Sequence, residues 1–345
     1  MSTNHTQKHL DGFVPAHIMQ EIAALNPGEL SFLETLLETE KLFLKGQQQQ
    51  KTHVRQLTAG GDGDRKIYDA QNGRSLPGTR ARFEGDDETG DVVVDNAYTY
   101  HGEVRRFLEE VAGRNSLDGK GMNLIGTVHY GRAYNNAFWN GRQMTYGDGD
   151  GKIFRTFVLR GVVGHEMAHG WTEHTSSLEY RAQPGALNEH LSDVVGALVE
   201  MYVDNIMAED FHWLIGEGLW ADGINGRALR DMKNPGTAYD DPKIGKDSQP
   251  AHMDDLYTGW GDNQGVHINS GIPNKAFCEF AIAVGGAAWE APFDIWKETG
   301  FGTNRVGSKA QFKDFAKKTI ENCRTLHPEL EDKLRAAWAK VGITV

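Results

Sequence analysis

Two histidines that stand four residues apart, His165 and His169, constrain this chain more than any other feature of it. On an α-helix, residues with this spacing lie one above the other on one face, so both imidazoles can bind the same metal ion. Glu166 lies between them, too far around the helix to be a third ligand. It can reach a water molecule at the open position of a zinc ion, and we therefore predict that Glu166 is a general base.

A second acidic segment supplies the other groups that such a site needs. Glu189 follows His169 by twenty residues, and two nitrogens with one carboxylate oxygen, each at roughly 2.0–2.2 Å, form a common catalytic zinc set. Asp193 lies four residues after Glu189 and could accept the free N–H of one ligand imidazole. Asn188 could do the same for the other. The sequence thus predicts one zinc ion per chain, bound by His165, His169 and Glu189.

A bare motif of this kind also occurs by chance, and acidic residues on a helix often form only a solvated face. The apolar residues around both segments favour the metal site, because buried charges are costly unless a metal holds them. The two sets of apolar neighbours are Leu159, Val162, Val163, Ala168 and Trp171 in the first segment, and Leu187, Leu191, Val194, Val195 and Leu198 in the second.

Composition excludes several other classes of protein. A chain of 345 residues, 39% of them hydrophobic, is long enough for two domains with a real core. A net charge of −12 argues against a nucleic-acid partner. No apolar run approaches the roughly 20 residues of a membrane span, and the polar first ten residues do not resemble a signal peptide. We expect a monomer without membrane or nucleic-acid partners, either cytoplasmic or exported without a classical signal peptide.

The chain has only two cysteines, Cys278 and Cys323. Both lie in apolar, apparently helical segments, which favours free buried thiols over a disulfide.

Hydrophobic patterning divides the chain into a strand-rich half and a helical half, which predicts an α+β fold. Short β-like runs such as 91–94 and 123–130 dominate up to about residue 160. After about residue 185, helical periodicity takes over in 187–202, 273–284, 309–323 and 328–341. The helix that carries His165 would join the two halves at the floor of a cleft.

The motifs resemble those of the thermolysin-like zinc metallopeptidases over nearly the whole chain from about Arg65. Together the matching stretches are very specific. They are Tyr134–Trp139, Tyr146–Gly151, His165–His169, Gly185–Glu189 with Ser192–Asp193, and Gly265–Gly271. The resemblance implies a two-domain fold with the zinc cleft between a strand-rich and a helical domain. It also repeats the zinc ligands and the base predicted above.

The resemblance adds residues that nothing else in the sequence singles out. It implies that His267 and Tyr180 donate hydrogen bonds to the oxyanion and that Asp262 orients His267. Donors aimed at such an oxygen in a dry cleft each contribute on the order of 3–4 kcal/mol.

The resemblance also implies how a peptide substrate is held. Asn136 and Arg230 would bind its backbone, and the carbonyl of Ala137 would accept it as an added strand. The residue after the cleaved bond would enter an apolar pocket, which predicts a preference for bulky hydrophobic residues there. The matching pocket positions are Val162, Ile215 and Leu229.

The first 50 residues, which include Phe13-Val14-Pro15 and the run Gln47–Gln50, resemble the short propeptide of the protealysin subgroup. That subgroup usually has two adjacent prolines, whereas this chain has Pro15-Ala16. The resemblance implies an intramolecular inhibitor, cut between about residues 46 and 56. The alternative is that residues 20–44 are simply an N-terminal helix packed on the body. We expect three parts: propeptide and linker 1–50, strand-rich domain 51–182 and helical domain 183–345.

Calcium is where the sequence departs from the family. Better-known relatives hold a double calcium site with clustered carboxylates, since calcium needs six to eight oxygens. Glu200 and Glu217 are retained, but other acidic positions carry different residues, so we predict zinc without an intact double calcium site. The replacing residues are Gly161, His212, Leu214 and Arg227.

Three functions from different classes fit the sequence. The first is a self-inhibited endopeptidase acting on proteins and peptides. The second is a zinc hydrolase such as an exopeptidase, against which the backbone-binding Asn136 and Arg230 argue. The third is a catalytically silent binding protein, which would be expected to have lost the base or a ligand, and Glu166 is intact.

Overall fold

The computed structural model describes residues 12–49, 61 and 63–345. Its N-terminal part is a pair of helices, α1 (Ala16–Leu25) and α2 (Ser31–Gln49). Pro15 precedes α1 in an extended conformation, and α1 turns its buried side chains toward the rest of the protein. Asn26 at the end of α1 donates a side-chain hydrogen bond to the carbonyl of Lys243, 2.7 Å away. The boundary expected at residue 50 and most of the expected cleavage region lie outside the described residues.

A five-stranded sheet forms the centre of the next part of the chain. Its strands lie in the order β2-β1-β3-β5-β4, with β1, β3 and β5 parallel and the two outer strands antiparallel to their neighbours. β4 is an edge of this sheet, so one side of it is open to an added strand. The strands are β1 (Arg65–Asp69), β2 (Thr79–Phe83), β3 (Leu124–Val128), β4 (Ala137–Trp139) and β5 (Met144–Tyr146).

The prediction of a β-like run at residues 91–94 is wrong, because this segment begins helix α3 (Val92–Glu110). The Asp91 side chain accepts hydrogen bonds from the backbone N–H groups of Val93 and Val94 and so caps the helix. Three consecutive valines favour a strand locally, but the cap and the helical spacing of the buried residues that follow prevail. The β-like run at 123–130 is confirmed by β3.

Helices dominate the C-terminal half, as the periodicity predicted. Short strand pairs β6 (Leu214–Ile215) with β7 (Arg230–Asp231), and β8 (Asp240–Asp241) with β9 (Gly245–Lys246), lie between them. The helices are α4 (Arg160–Glu173), α5 (Ala182–Asp204), α6 (Gly261–Asn269), α7 (Gly271–Val284), α8 (Ala291–Gly300), α9 (Phe312–Leu326) and α10 (Glu331–Lys340).

α4 and α5 pack closely because glycines face each other where they cross. A Cβ on Gly164 would lie 3.0 Å from the Cα of Gly196, and one on Gly196 would lie 2.6 Å from the carbonyl oxygen of Gly161. Side chains at these positions would push the helices apart. The glycines therefore set the distance between the two helices that carry the predicted zinc ligands.

Most of the buried apolar side chains form one continuous core through both halves. Cys278 and Cys323 lie in it as buried free thiols, in agreement with the prediction from their apolar surroundings. In the described part of the chain, no helix has both the length and the apolar character needed to cross a membrane.

Candidate active site

The three predicted zinc ligands come together between α4 and α5. The Nε2 atoms of His165 and His169 are 3.1 Å apart, and each lies 3.4 Å from an oxygen of Glu189. Two nitrogens bound tetrahedrally to zinc at roughly 2.0–2.1 Å would be about 3.3 Å apart. Within residues 12–49, 61 and 63–345, no other group of three His, Cys, Asp or Glu residues is close enough to share an ion. The donor set and its spacing fit zinc.

Each ligand histidine has an acceptor at its other ring nitrogen. Nδ1 of His165 donates to Asp193 at 2.9 Å, and Nδ1 of His169 donates to Asn188 at 3.0 Å. A proton held on Nδ1 leaves the lone pair of Nε2 directed at the metal position. Burial alone would raise the pKa of Asp193, but Arg230 and His165 hold it well below its usual range.

Glu166 lies beside this group and is buried. Neither of its carboxyl oxygens has a hydrogen bond of good geometry from the described residues, although the backbone N–H of Trp139 is near enough to lower its pKa slightly. Burial is the larger effect and raises the pKa to about 7, which suits a general base at neutral pH. A buried carboxyl group that the protein satisfies so weakly is costly in a purely structural role, and a catalytic role explains it better.

Tyr180, His267 and Asp262 lie on the Glu189 side of the site. The hydroxyl of Tyr180 donates to Glu189 and lies 3.1 Å from Nε2 of His267. Nδ1 of His267 is 2.6 Å from Oδ1 of Asp262. The Asp262 carboxylate can only accept, so Nδ1 of His267 donates to it and the ring is held in one orientation.

A run of left-handed residues precedes His267 and fixes its position. Asp262, Asn263, Gln264 and Gly265 have φ values of 52°, 49°, 67° and 82°. Three of these are not glycine, so the turn is strained. Oδ2 of Asp262 compensates by accepting the backbone N–H groups of His267 and Ile268, at 2.8 and 2.9 Å. The same carboxylate therefore holds both the backbone and the ring of His267.

The predicted peptide-binding residues hold a peptide from this chain itself. Phe13 N–H donates to the carbonyl of Ala137 at 2.9 Å, beside the open edge of the sheet. Asn136 accepts the N–H of Val14 and donates to its carbonyl, both at 2.9 Å. Arg230 donates to the carbonyl of Phe13 at 3.3 Å. Four backbone groups of two consecutive residues are thus bound.

The side chain of Phe13 fills an apolar pocket next to the predicted zinc ligands. Its ring stands perpendicular to that of His165, with 5.2 Å between centroids, and it is fully buried. Gly216, with φ of 76°, lies against the ring, where a Cβ would come within 3.0 Å of it and 3.4 Å of Leu229. The predicted pocket residues are all buried in the same core as Phe13: Val162, Ile215 and Leu229.

The close fit of the N-terminal segment extends to Gly12. A Cβ on Gly12 would lie 2.3 Å from the side-chain nitrogen of Asn136, so only glycine fits without displacing that side chain. On α1, Nδ1 of His17 lies 3.7 Å from Oδ1 of Asp262.

Three buried residues that reach the site indirectly were not predicted from the sequence. Asn274 donates to Asp193, His190 donates to Asn274, and Trp296 donates to His190, each at 2.8 Å. The only signal was the position of His190 directly after Glu189. Trp296 is 106 residues from its partner, so no local pattern could have connected them.

Near the positions of the predicted loss of a calcium site, acidic residues are paired with basic side chains or with a backbone N–H group. Arg160 lies between Glu103 and Asp204, at 2.7 and 2.8 Å. Gly161 N–H donates to Glu200 at 2.9 Å, and burial raises the pKa of Glu200 to about 7. The nearby replacements are also paired with acids: Arg227 with Asp231 and His212 with Glu217. The absence of an intact double calcium site stays a prediction.

Comparisons with known proteins identify the family of this chain. Sequence profiles described as "Thermolysin metallopeptidase, catalytic domain" and "Thermolysin metallopeptidase, alpha-helical domain" match residues 33–173 and 176–343. The chain belongs to the thermolysin family of zinc metalloendopeptidases. The two-domain fold with a strand-rich and a helical half, expected from the motifs, is confirmed.

Within the family, the chain is similar to proteins of the protealysin type. It is 45% identical to Protease PrtS of Photorhabdus sp. (strain Az29), over 97% of this chain and 92% of that protein. It is 44% identical to an extracellular metalloprotease of Pectobacterium carotovorum subsp. carotovorum, over 96% of each. The solved structure of the precursor of protealysin from Serratia proteamaculans superposes with a TM-score of 0.85 at 44% identity, covering 96% of this chain and 99% of that one.

Proposed function

We propose that this protein is a neutral endopeptidase made as a self-inhibited zymogen, which cleaves on the N-terminal side of bulky hydrophobic residues. The observation that carries the proposal is the binding of Phe13 and Val14 to Asn136, Ala137 and Arg230. These contacts recognise only backbone groups, apart from one apolar side chain. Such recognition suits the interior of many different peptides and does not require a chain terminus.

Zinc, when bound by His165, His169 and Glu189, supplies a Lewis acid that activates water and polarises the peptide carbonyl. Glu166 takes a proton from the attacking water and can pass it to the leaving nitrogen, for which a pKa of about 7 is suitable. As the carbonyl oxygen becomes negative, Tyr180 and His267 donate hydrogen bonds to it.

Three residues position the groups that take part. Asp193 and Asn188 hold the metal-binding histidines by their Nδ1 atoms. Asp262 holds His267 by its ring and its backbone. Because these acceptors are in place before substrate binds, little reorganisation is needed during the reaction.

Residues 1–50 are the proposed inhibitory propeptide, and 51–182 and 183–345 are the proposed catalytic domains. A substrate would need the positions that Phe13 and Val14 occupy, so the segment and a substrate compete. The contact of His17 with Asp262 adds a second point of attachment on the oxyanion side. The solved relative described as a precursor and the relative described as extracellular support a zymogen that acts outside the cell.

The occupant of the pocket also indicates specificity. Phe13 stands where the residue after a cleaved bond would lie, with Gly216 against its ring and Leu229 next to Gly216. We expect faster cleavage before Phe, Leu or Ile than before Asp or Lys in an otherwise constant peptide series. A charged residue preferred at this position would refute the assignment of the pocket.

The test of the whole proposal is the intact mass of purified full-length protein against time, beside Glu166→Ala. The variant should retain zinc, measured by metal analysis, but lose its base. If only the wild type loses about 50 residues from its N-terminus, the base, the peptidase and the propeptide are all supported. If neither is cut, a second protease that cuts the linker is added, and a wild type whose peptidase activity does not rise after that cut has no inhibitory propeptide.

A further inference from the structure

A line of buried hydrogen bonds connects the hydrophobic core to a zinc-binding histidine. Nε1 of Trp296 is 2.8 Å from Nε2 of His190, and Nδ1 of His190 is 2.8 Å from Oδ1 of Asn274. Nδ2 of Asn274 is 2.8 Å from Oδ2 of Asp193, whose Oδ1 is 2.9 Å from Nδ1 of His165. All five residues are 0% exposed. Burial of so many polar groups requires each of them to be satisfied.

The chemistry of the groups allows this line to run in one direction only. The indole of Trp296 is a donor and cannot accept, so Nε2 of His190 must accept. The neutral ring then carries its proton on Nδ1 and donates to the carbonyl oxygen of Asn274. The amide nitrogen of Asn274 is left to face Asp193, and a carboxylate can only accept.

The hydrogen bond from Asn274 completes the set of donors around the Asp193 carboxylate. Its Oδ1 accepts from His165 and from Nη2 of Arg230, at 2.9 and 2.7 Å. Its Oδ2 accepts from Nε of Arg230 and from Asn274, at 2.9 and 2.8 Å. Each oxygen therefore has two donors. Reversal of the Asn274 amide would place its carbonyl oxygen against a carboxylate oxygen, which repels it.

We propose that Trp296, His190 and Asn274 are positioning residues for the zinc site. By fixing the orientation of Asp193, they keep the proton of His165 on Nδ1 and its Nε2 lone pair directed at the metal. This inference rests on the proposed zinc binding by His165. It assigns a function in metal retention to an indole N–H that lies four hydrogen bonds away from that histidine.

A packing role alone is the competing explanation, and the structure offers a matched control for it. Trp338 is also fully buried and stacks on Trp296, with centroids 5.9 Å apart and rings 7° from parallel. Its Nε1 donates to the hydroxyl of Thr319 at 2.9 Å. The two tryptophans thus share a core cluster and each make one buried indole hydrogen bond, but the line to Asp193 starts only from Trp296.

The experiment compares Trp296→Phe with Trp338→Phe, both in full-length Glu166→Ala protein so that no processing occurs. Each protein is loaded with zinc, and zinc transfer to an excess of a chromogenic chelator is timed. Loss of a direct partner of a ligand usually costs about 10–100-fold in metal affinity, so we expect about 3–10-fold faster release from Trp296→Phe. Trp338→Phe should match the Glu166→Ala parent.

Equal release rates in the two tryptophan variants would overturn the inference. Zinc content of the parent is measured first, because a parent that binds no zinc would refute the proposed function as well. A parent that binds zinc normally while Trp296→Phe has no effect would refute only the role of the hydrogen-bond line.

A second readout is measured on the wild type itself, and a substitution serves only to assign the signal. In ¹⁵N-labelled wild type, two-bond ¹⁵N–¹H correlation spectra report the tautomer of each histidine. The signal of His190, identified by its loss in His190→Gln, should be that of a neutral ring protonated on Nδ1. A ring protonated on Nε2, or on both nitrogens, would contradict the proposed direction of the hydrogen bonds.

Discussion

Tyr180 is the residue at which binding and catalysis are most easily separated. Its hydroxyl donates to Glu189 and lies 3.1 Å from Nε2 of His267, whereas the backbone groups of Phe13 and Val14 are held by Asn136, Ala137 and Arg230. We therefore expect Tyr180→Phe to lower kcat by about 10²-fold, as for the loss of one oxyanion donor, with little change in KM. Steady-state kinetics of the processed enzyme on a peptide substrate measure both.

Tyr202→Phe is the matched control for Tyr180→Phe. Its hydroxyl also donates to a glutamate, Glu110, but on an exposed part of the surface. Its kinetics should equal those of the wild type. A rise in KM at constant kcat in Tyr180→Phe would show that Tyr180 contributes to substrate binding instead.

For single residues, a role could be predicted when it depends on neighbours close along the chain and could not when it depends on distant ones. Helical spacing alone indicated His165, Glu166 and His169, because their chemistry depends on neighbours one turn away. Tyr180 and His267 are 87 residues apart, and only the family resemblance singled them out. His190 was overlooked, since its role depends on partners that only the folded chain brings near.

Among the elements, the N-terminal segment before α1 has the clearest functional consequence. Phe→Ala substitutions at buried sites usually cost about 3–5 kcal/mol, and here the lost contacts are those that would block the cleft. We expect Phe13→Ala to increase the initial rate of peptide hydrolysis by unprocessed protein by at least about 10-fold. Leu33→Ala on α2, where Leu33 is 47% exposed, should leave the rate unchanged. A slower rate in Phe13→Ala would contradict self-inhibition.

The carboxyl ends of β3 and β5 meet, and an ion pair joins them there. His129, directly after β3, is 2.8 Å from Asp148, which follows β5 by two residues. Its hydrogen bond to Asp148 raises the pKa of His129 to about 9. An ion pair that raises a histidine pKa stabilises the folded protein. This stabilisation is fully present below about pH 6.5 and is lost as the pH rises through about 9.

The expected contribution of this pair to the free energy of unfolding is below about 3 kcal/mol, because the pair is partly exposed and solvent screens it. Urea unfolding between about pH 6 and pH 10 should show a loss of stability in the wild type that is smaller in Asp148→Asn. Asp222→Asn, which removes a fully exposed partner of Arg155, should keep the wild-type dependence. Identical pH profiles for Asp148→Asn and wild type would rule out this role for the pair.

The error at residues 91–94 shows what limits prediction of elements. Val92, Val93 and Val94 favour a strand, and only the longer pattern through α3 reveals the helix. Local propensity spans about 1 kcal/mol or less per residue, so a capped helix with one buried face overrides it. Long periodic segments such as α5 and α7 were correctly predicted for the same reason.

For the molecule as a whole, Arg160 and its acidic partners bear on how stability is maintained. If arginine and backbone N–H groups take the place of calcium, added calcium has no site to bind. It then cannot raise stability, because a ligand stabilises a protein only by binding its folded state. We expect the melting temperature after treatment with a chelating resin and zinc reloading to be unchanged by millimolar calcium. Removal of zinc, the positive control, should lower it. A calcium-dependent rise would show that a site persists.

Asp193 joins two functions through one side chain. One oxygen holds His165, both oxygens hold Arg230, and Arg230 holds the carbonyl of the residue in the pocket. The positions of the bound peptide and of the predicted metal site therefore both depend on this one carboxylate. A displacement of Asp193 would change both together, so a substitution at this position cannot alter peptide binding without also altering metal binding.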